Sequence, residues 1–147
     1  MLGVNPRSAT PFWPHWDDAN GMDREGWLAA YLLHHGKYRR SRAAIERFVP
    51  LIKGSVFEAN AYAKATRRLA DLAAAERTID VLPFLMHAVQ PNVVISAGRS
   101  AARGFAAVKP TWNLTIFEVD HFIYWGRNHE HELASRVNTI LDRTIVT

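Results

Sequence analysis

The chain contains no cysteine. That excludes disulfides, a thiolate nucleophile and any cysteine-ligated zinc or iron–sulfur cluster. No apolar run reaches membrane-spanning length, and no charged-then-apolar leader ends in a small-residue cleavage site. The expectation is a cytoplasmic protein with no membrane partner. Internal repeats, low-complexity tracts and linkers are also missing, so the 147 residues read as one domain, 1–147, with enough chain to bury a real core. Neither Gly-x-Gly-x-x-Gly nor a P-loop occurs, which leaves nucleotide cofactors without support.

What is present is ordinary for a folded protein: 48% apolar and 22% charged residues. The formal net charge is +4, and seven histidines can add to it below neutrality. An excess of this size permits a phosphate-bearing partner without requiring one.

Turn residues come at once, in Gly3-Val4-Asn5-Pro6, with only a stub of strand before them. The chain reads as beginning one strand too late. An aromatic loop follows through Phe12, Trp13 and Trp16. Asp23 is a plausible N-cap for a helix through Trp27, Leu28, Tyr31 and Leu32 that stops at Gly36. Ser41 can cap a second helix carrying Ile45, Phe48, Val49 and Ile52 inward, bent or shortened at Pro50. Residues 55–60 suggest a short strand, and helical segments are expected near 66–75 and 80–89, with Pro83 in the first turn of the latter. The clearest buried strand is 92–96, turning at Gly98 into a helix from Arg99 to about Val108. A further strand is expected over 114–119 and a last helix over 129–141. Strands alternating with helices imply right-handed crossovers and a parallel sheet covered on both faces. The expected fold is thus α/β, a three-layer α/β/α sandwich on a short parallel four-stranded sheet with its first strand largely missing. Ligands of such sheets bind outside the carboxyl ends of the strands. Asn5, Asn60, Gly98-Arg99-Ser100 and His121 occupy those ends.

Four segments, in order, resemble the uracil-DNA glycosylase superfamily: Gly3-Val4-Asn5-Pro6 (the Gly-x-Asn-Pro first motif of its mismatch-specific branch), Val56 to Asn60, Gln90 to Ala102, and Asp120-His121-Phe122. The resemblance implies a DNA glycosylase that hydrolyses the N-glycosidic bond of uracil or a related base in DNA. It implies Asn5 at the attacking water, which an amide orients without acting as a strong base. It places His121 as donor to the anion developing on the base carbonyl. Asn60 would read the base edge, with Gly3 beside it and Phe12 or Trp13 stacked on the flipped base. Lys64, Arg67, Ser100 and Arg127 would meet the DNA backbone. The family's second motif continues His-Pro-Ser, whereas here it reads His121-Phe122-Ile123. Residues 122–125 could serve instead as an apolar wedge. No cofactor or metal is implied, and a monomer is expected.

Plainer readings stand beside these. Asn5 before Pro6 is a turn residue by default, and Asn60 a turn or cap. His121 suits a core position, Phe12, Trp13 and Trp16 suit loop packing, and Arg39, Arg40, Arg42, Lys64, Arg67 and Arg68 suit a solvated surface. Gly98-Arg99-Ser100-Ala101-Ala102 resembles a nucleophile elbow with Ala in place of the second Gly, but no acid is placed before a terminal His. His129-Glu130-His131-Glu132 lacks the i, i+4 pair of a zincin and reads as a helix N-terminus. A silent family member that binds nucleic acid, and a small serine hydrolase using Ser100, are the alternative functions.

Overall fold

A computed structural model describes residues 1–3, 10, 13–64, 66 and 68–144. Its organising strand is the one most legible in the sequence. β-branched residues run from Asn92, and the resulting strand Val93–Ala97 is buried along nearly its whole length. Five other strands are described: β1 (Leu2–Gly3), β2 (Trp16–Asp17), β3 (Gly21–Met22), β4 (Ala59–Asn60) and, beyond Val93–Ala97 as β5, β6 (Thr115–Val119). β4, β1, β5 and β6 form a parallel sheet in that order. β5 and β6 pair along five residues, from Val93↔Thr115 to Ala97↔Val119, whereas β1 meets β5 only at Leu2↔Ser96. β2 and β3 make a small antiparallel hairpin inside the segment expected to be loop.

The helices are α1 (Arg24–His35), α2 (Arg40–Phe48), α3 (Val81–Val89), α4 (Arg99–Phe105) and α5 (Arg127–Thr144). Successive residues of β5 point to opposite faces and so feed two apolar layers. Ile95 and Ala97 pack with Ala44, Ile45 and Phe48 of α2 and Leu133, Ala134 and Val137 of α5. Val94 packs with Leu2, with Leu82 and Met86 of α3, and with Ala101 and Phe105 of α4. The sheet is therefore covered on both faces, as the alternating pattern implied.

Asp23 caps α1 by accepting the Gly26 N–H at 2.9 Å, and Gly36 ends it at φ +70°, where a side chain would be strained. α2 begins after Arg39 rather than at Ser41, and the chain tightens into a 3-10 turn at Val49–Leu51, where Pro50 cannot continue the ladder. Several expectations are corrected. Strand geometry near residue 60 is confined to Ala59–Asn60. The helix expected over 66–75 is, among the described residues, a pair of 3-10 turns at Leu69–Asp71 and Ala74–Glu76. α4 stops at Phe105, short of Val108, and α5 is longer than expected at both ends.

Charge is built into this frame. Arg47 reaches across to α5 and grips both oxygens of Glu130, at 3.0 and 2.6 Å, although that carboxylate is buried. Arg42, read as a surface charge, is largely buried. It bridges Glu46 at 3.0 Å and Glu58 at 2.9 Å, with its guanidinium 4.9 Å from the Trp27 ring centre. Removing one partner of a buried pair strands the other. Arg47→Met should lower unfolding free energy by roughly 2–3 kcal/mol, less than for a fully buried pair because part of the guanidinium is wetted. Urea denaturation measures it.

The amine of Met1 lies inside the sheet and donates to the Phe57 carbonyl at 2.6 Å. Burial lowers its pKa from 8.0 to about 6, against the pull of Glu58. Between those values the unfolded chain holds a proton that the folded chain has lost, so stability rises with pH across the window. The urea midpoint should therefore be higher at pH 8 than at pH 6. An Nα-acetylated chain should lose the slope above the histidine range, and an unchanged slope would exclude this origin.

Candidate functional site

In a parallel sheet all carboxyl ends share one edge. Across it, in strand order, stand Asn60, Gly3, Gly98 and His121. Neighbouring strands lie about 4.8 Å apart, so this row spans roughly 15 Å. Two close contacts organise it.

The first joins β4 to β1. The Ala61 N–H donates to Gly3 O at 2.9 Å, extending the ladder just past Asn60. The Asn60 side chain folds over Gly3: a β-carbon there would lie 2.6 Å from Asn60 Oδ1. Glycine is thus what lets the amide rest against the end of β1.

The second joins β5 to β6. Gly98 turns out of β5 at φ +89° and ψ 153°, a conformation open essentially to glycine, while its N–H donates to Val119 O at 2.8 Å. A β-carbon at Gly98 would sit 3.6 Å from His121 Cβ and 3.7 Å from its Cδ2. The histidine therefore packs against the turn after β5.

Residues 122–125 hold His121 in place. Phe122 and Trp125 are buried, with their ring centres 5.0 Å apart, and Trp125 meets Phe48 at 5.2 Å. Trp125 Nε1 donates to Asp120 O at 2.8 Å, and the Tyr124 N–H donates to His121 O at 2.9 Å. This anchoring corrects the reading of residues 122–125 as one apolar wedge. Ile123 and Tyr124 alone remain exposed, Tyr124 at 74%. The Ile123 N–H donates to His121 Nδ1 at 3.3 Å, which leaves the neutral ring's proton on Nε2 as a donor. Burial holds the imidazole below its ordinary pKa of 6.5, so the neutral form prevails at pH 7.

The other expected site residues are scattered. Asn5, Phe12 and Arg67 lie outside the described residues. Lys64 is exposed and pairs with the Glu76 carboxylate, so its charge is already answered. Ser100 stands partly buried in the first turn of α4, and among the described residues no hydrogen bond joins it to a histidine. Arg127 opens α5 on the surface. Trp13, read as packing or stacking, is 76% exposed.

Beside Gly98 a cleft of about 390 Å³ runs between α4 and α5. Arg99, Glu118, Asp120, His129, Glu132 and Arg136 line it, but His121 and Asn60 do not. The spacing of three and four between its residues on α5 could have indicated a shared face, yet which sheet edge that face met was not legible. His129 stacks on Trp125 at 5.6 Å while Glu130 turns into the core, so the His-Glu-His-Glu run diverges. Among the described residues no group of three or more His, Asp or Glu could hold a metal ion, and no helix is long and apolar enough to cross a membrane.

No family model, curated protein or solved structure matches the chain. The chain is thus defined by its fold alone, as an α/β protein with a four-stranded parallel sheet that bears Asn60 and His121 at its carboxyl edge.

The ring geometry has a spectroscopic consequence. In a ¹⁵N-resolved titration His121 should show the Nε2–H tautomer and a midpoint below 6.5, and Ile123→Pro, which removes the donor to Nδ1, should erode the tautomer preference. An Nδ1–H signature at neutral pH would contradict the arrangement.

Proposed function

We propose that this chain is a DNA glycosylase-like protein that hydrolyses the N-glycosidic bond of uracil or a related damaged base. The observation carrying the reading is the neutral His121, rigidly mounted on the strand edge that also bears Asn60.

In this reading water adds to the sugar carbon as the base leaves with the bonding electron pair. His121 Nε2–H stabilises the charge growing on the base carbonyl oxygen, which a neutral imidazole can do by hydrogen bonding. Asn60 offers one donor and one acceptor to the base edge, and Asn5 orients the water, as the motif resemblance implies. The exposed Ile123 and Tyr124 beside His121 suit an apolar tip that fills the stack when a base is flipped out. Arg127, a few residues on, suits a phosphate.

A second reading, nucleic-acid binding without excision, draws support from one observation: the cleft beside Gly98 is not walled by His121 or Asn60. It expects salt-dependent DNA binding with no base released, and a smaller salt slope when Lys64 or Arg67 is replaced. Among the described residues no hydrogen bond joins Ser100 to a histidine, so the hydrolase reading lacks support.

Uracil-containing oligonucleotides followed by alkaline cleavage distinguish these outcomes. Excision is expected, with His121→Ala lowering the rate by about 10²- to 10³-fold. Gly3→Ala should push the Asn60 amide aside and lower activity while leaving stability nearly unchanged, since the clash falls on a movable side-chain tip. Absence of excision from uracil, hypoxanthine and mismatch substrates would sink the proposal, as would excision indifferent to His121→Ala.

A further inference from the structure

α1 and α2 form a helical hairpin of which only α2 enters the core. Arg24 pairs with Glu46 at 2.6 Å, the Arg42 guanidinium lies 4.9 Å from the Trp27 ring centre, and the Tyr31 and Tyr38 ring centres are 6.1 Å apart. These contacts step back along α2 as they advance along α1, so the helices are antiparallel and residues 33–40 form the tip. α2 buries Ala44, Ile45 and Phe48, whereas no side chain of α1 is buried.

The tip points outward at the carboxyl edge of the sheet. From Arg47 the chain runs inward alongside α5: Arg47 meets Glu130, Asn138 Nδ2 donates to Leu51 O at 2.9 Å, and Lys53 pairs with Asp142 at 2.8 Å. α5 starts shortly after His121, and its Leu141 borders the same hollow as Asn92, where β5 begins. Taken the other way, α2 therefore runs outward from Arg47 past residues 122–124, against which it packs. At about 1.5 Å per residue, Arg40 stands roughly 10 Å further along the helix.

Charge at the tip has one sign. Between Glu25 and Glu46 there is no carboxylate, and Lys37, Arg39, Arg40 and Arg42 fall in that interval. Arg42 is held by Glu46 and Glu58. Lys37, Arg39 and Arg40 are exposed, and among the described residues no ion pair engages them. Leu32 and Leu33 stand beside them, with Leu33 90% exposed. Three cations within four residues repel one another, a strain that an anionic partner relieves.

We propose that the hairpin is a nucleic-acid arm, whose Lys37, Arg39 and Arg40 grip the sugar-phosphate backbone of a strand crossing the carboxyl edge. A backbone repeats its negative charge at short intervals, so closely spaced cations can each neutralise a phosphate and release its counterion. Leu32 and Leu33 add an apolar contact for sugars or an unstacked base. An anionic bilayer would attract the same cations. Two leucines, however, offer less apolar surface than a single acyl chain, which itself anchors a protein only marginally. The class of partner rests on the nucleic-acid reading of this edge, and excision does not enter.

Salt titrations of binding to uracil-free duplex and single-stranded oligonucleotides test it on the full chain. In the triple variant Lys37→Gln/Arg39→Gln/Arg40→Gln the slope of log affinity against log salt should fall by about 2 to 3, at about 0.9 per lost phosphate contact on a duplex and 0.7 on a single strand. Its thermal midpoint should not fall, since none of the three makes an ion pair. Arg39→Lys/Arg40→Lys should keep the slope. Arg103→Gln/Lys109→Gln/Arg143→Gln removes equal charge at or beyond the far ends of α4 and α5, and should leave the slope nearly unchanged. An unchanged slope in the tip variant, an equal fall in the distant one, or no binding to either oligonucleotide would overturn the proposal. So would binding to phosphatidylserine vesicles that the tip substitutions abolish while DNA binding persists, since the partner is then a bilayer. The expected change of slope without excision of uracil would end the glycosylase reading and leave the arm standing.

Discussion

A strand buried on both faces leaves no freedom in where its ends go, and β5 sets that constraint here. Val94 belongs to the layer of α3 and α4, while Ile95 and Ala97 belong to the layer of α2 and α5. Slipping β5 by one residue would exchange these sets and empty both cores. With β5 held in register against five residues of β6, the turn at Gly98 can leave in only one direction. Its positive φ opens the surface on which His121 lies. The placement of the candidate site is thus a consequence of core packing one step earlier in the chain.

The segment after β6 repeats this logic on a smaller scale. Residues 121–125 alternate between fixed and free: Phe122 and Trp125 fill the core against Phe48, and Ile123 and Tyr124 face solvent. Buried aromatic anchors hold the histidine's backbone, and the Ile123 N–H selects its tautomer. The same core face is tied laterally by Arg47 and Glu130, an ion pair that locks α2 to α5 beneath this turn. Stability and placement of a reactive group are here served by the same contacts.

Much of this was legible because local signals agreed. Asp23 and Gly36 bracket α1, Gly98 separates β5 from α4, and β6 ends just before Asp120-His121, as their punctuation implied. The failures share a cause. Residues 55–58 have strand-like composition, but the ladder with β1 pairs Leu2 with Ala59 and Gly3 with Asn60, so strand geometry is confined to Ala59–Asn60. Residues 66–75 carry alanines and leucines of good helix propensity, yet Asp71 and Glu76 bond back to the backbone of Arg68 and Ala73 and favour tight turns. The charge of Arg42 looked solvated because one of its partners, Glu58, lies on a separate segment of the chain.

The candidate site divides along the same line. Sequence alone determined that this chain alternates strands and helices, which residues end the later strands, and hence that Asn60, Gly98 and His121 share one edge. Tertiary structure decided which neighbours they meet: Asn60 lies over Gly3, His121 lies against Gly98, Lys64 pairs with Glu76, and the cleft beside Gly98 runs between α4 and α5. The division has a physical reason. Periodicity and turn chemistry act over a few residues and are written locally, whereas strand order, register and ion pairing are settled by contacts between segments far apart in the chain.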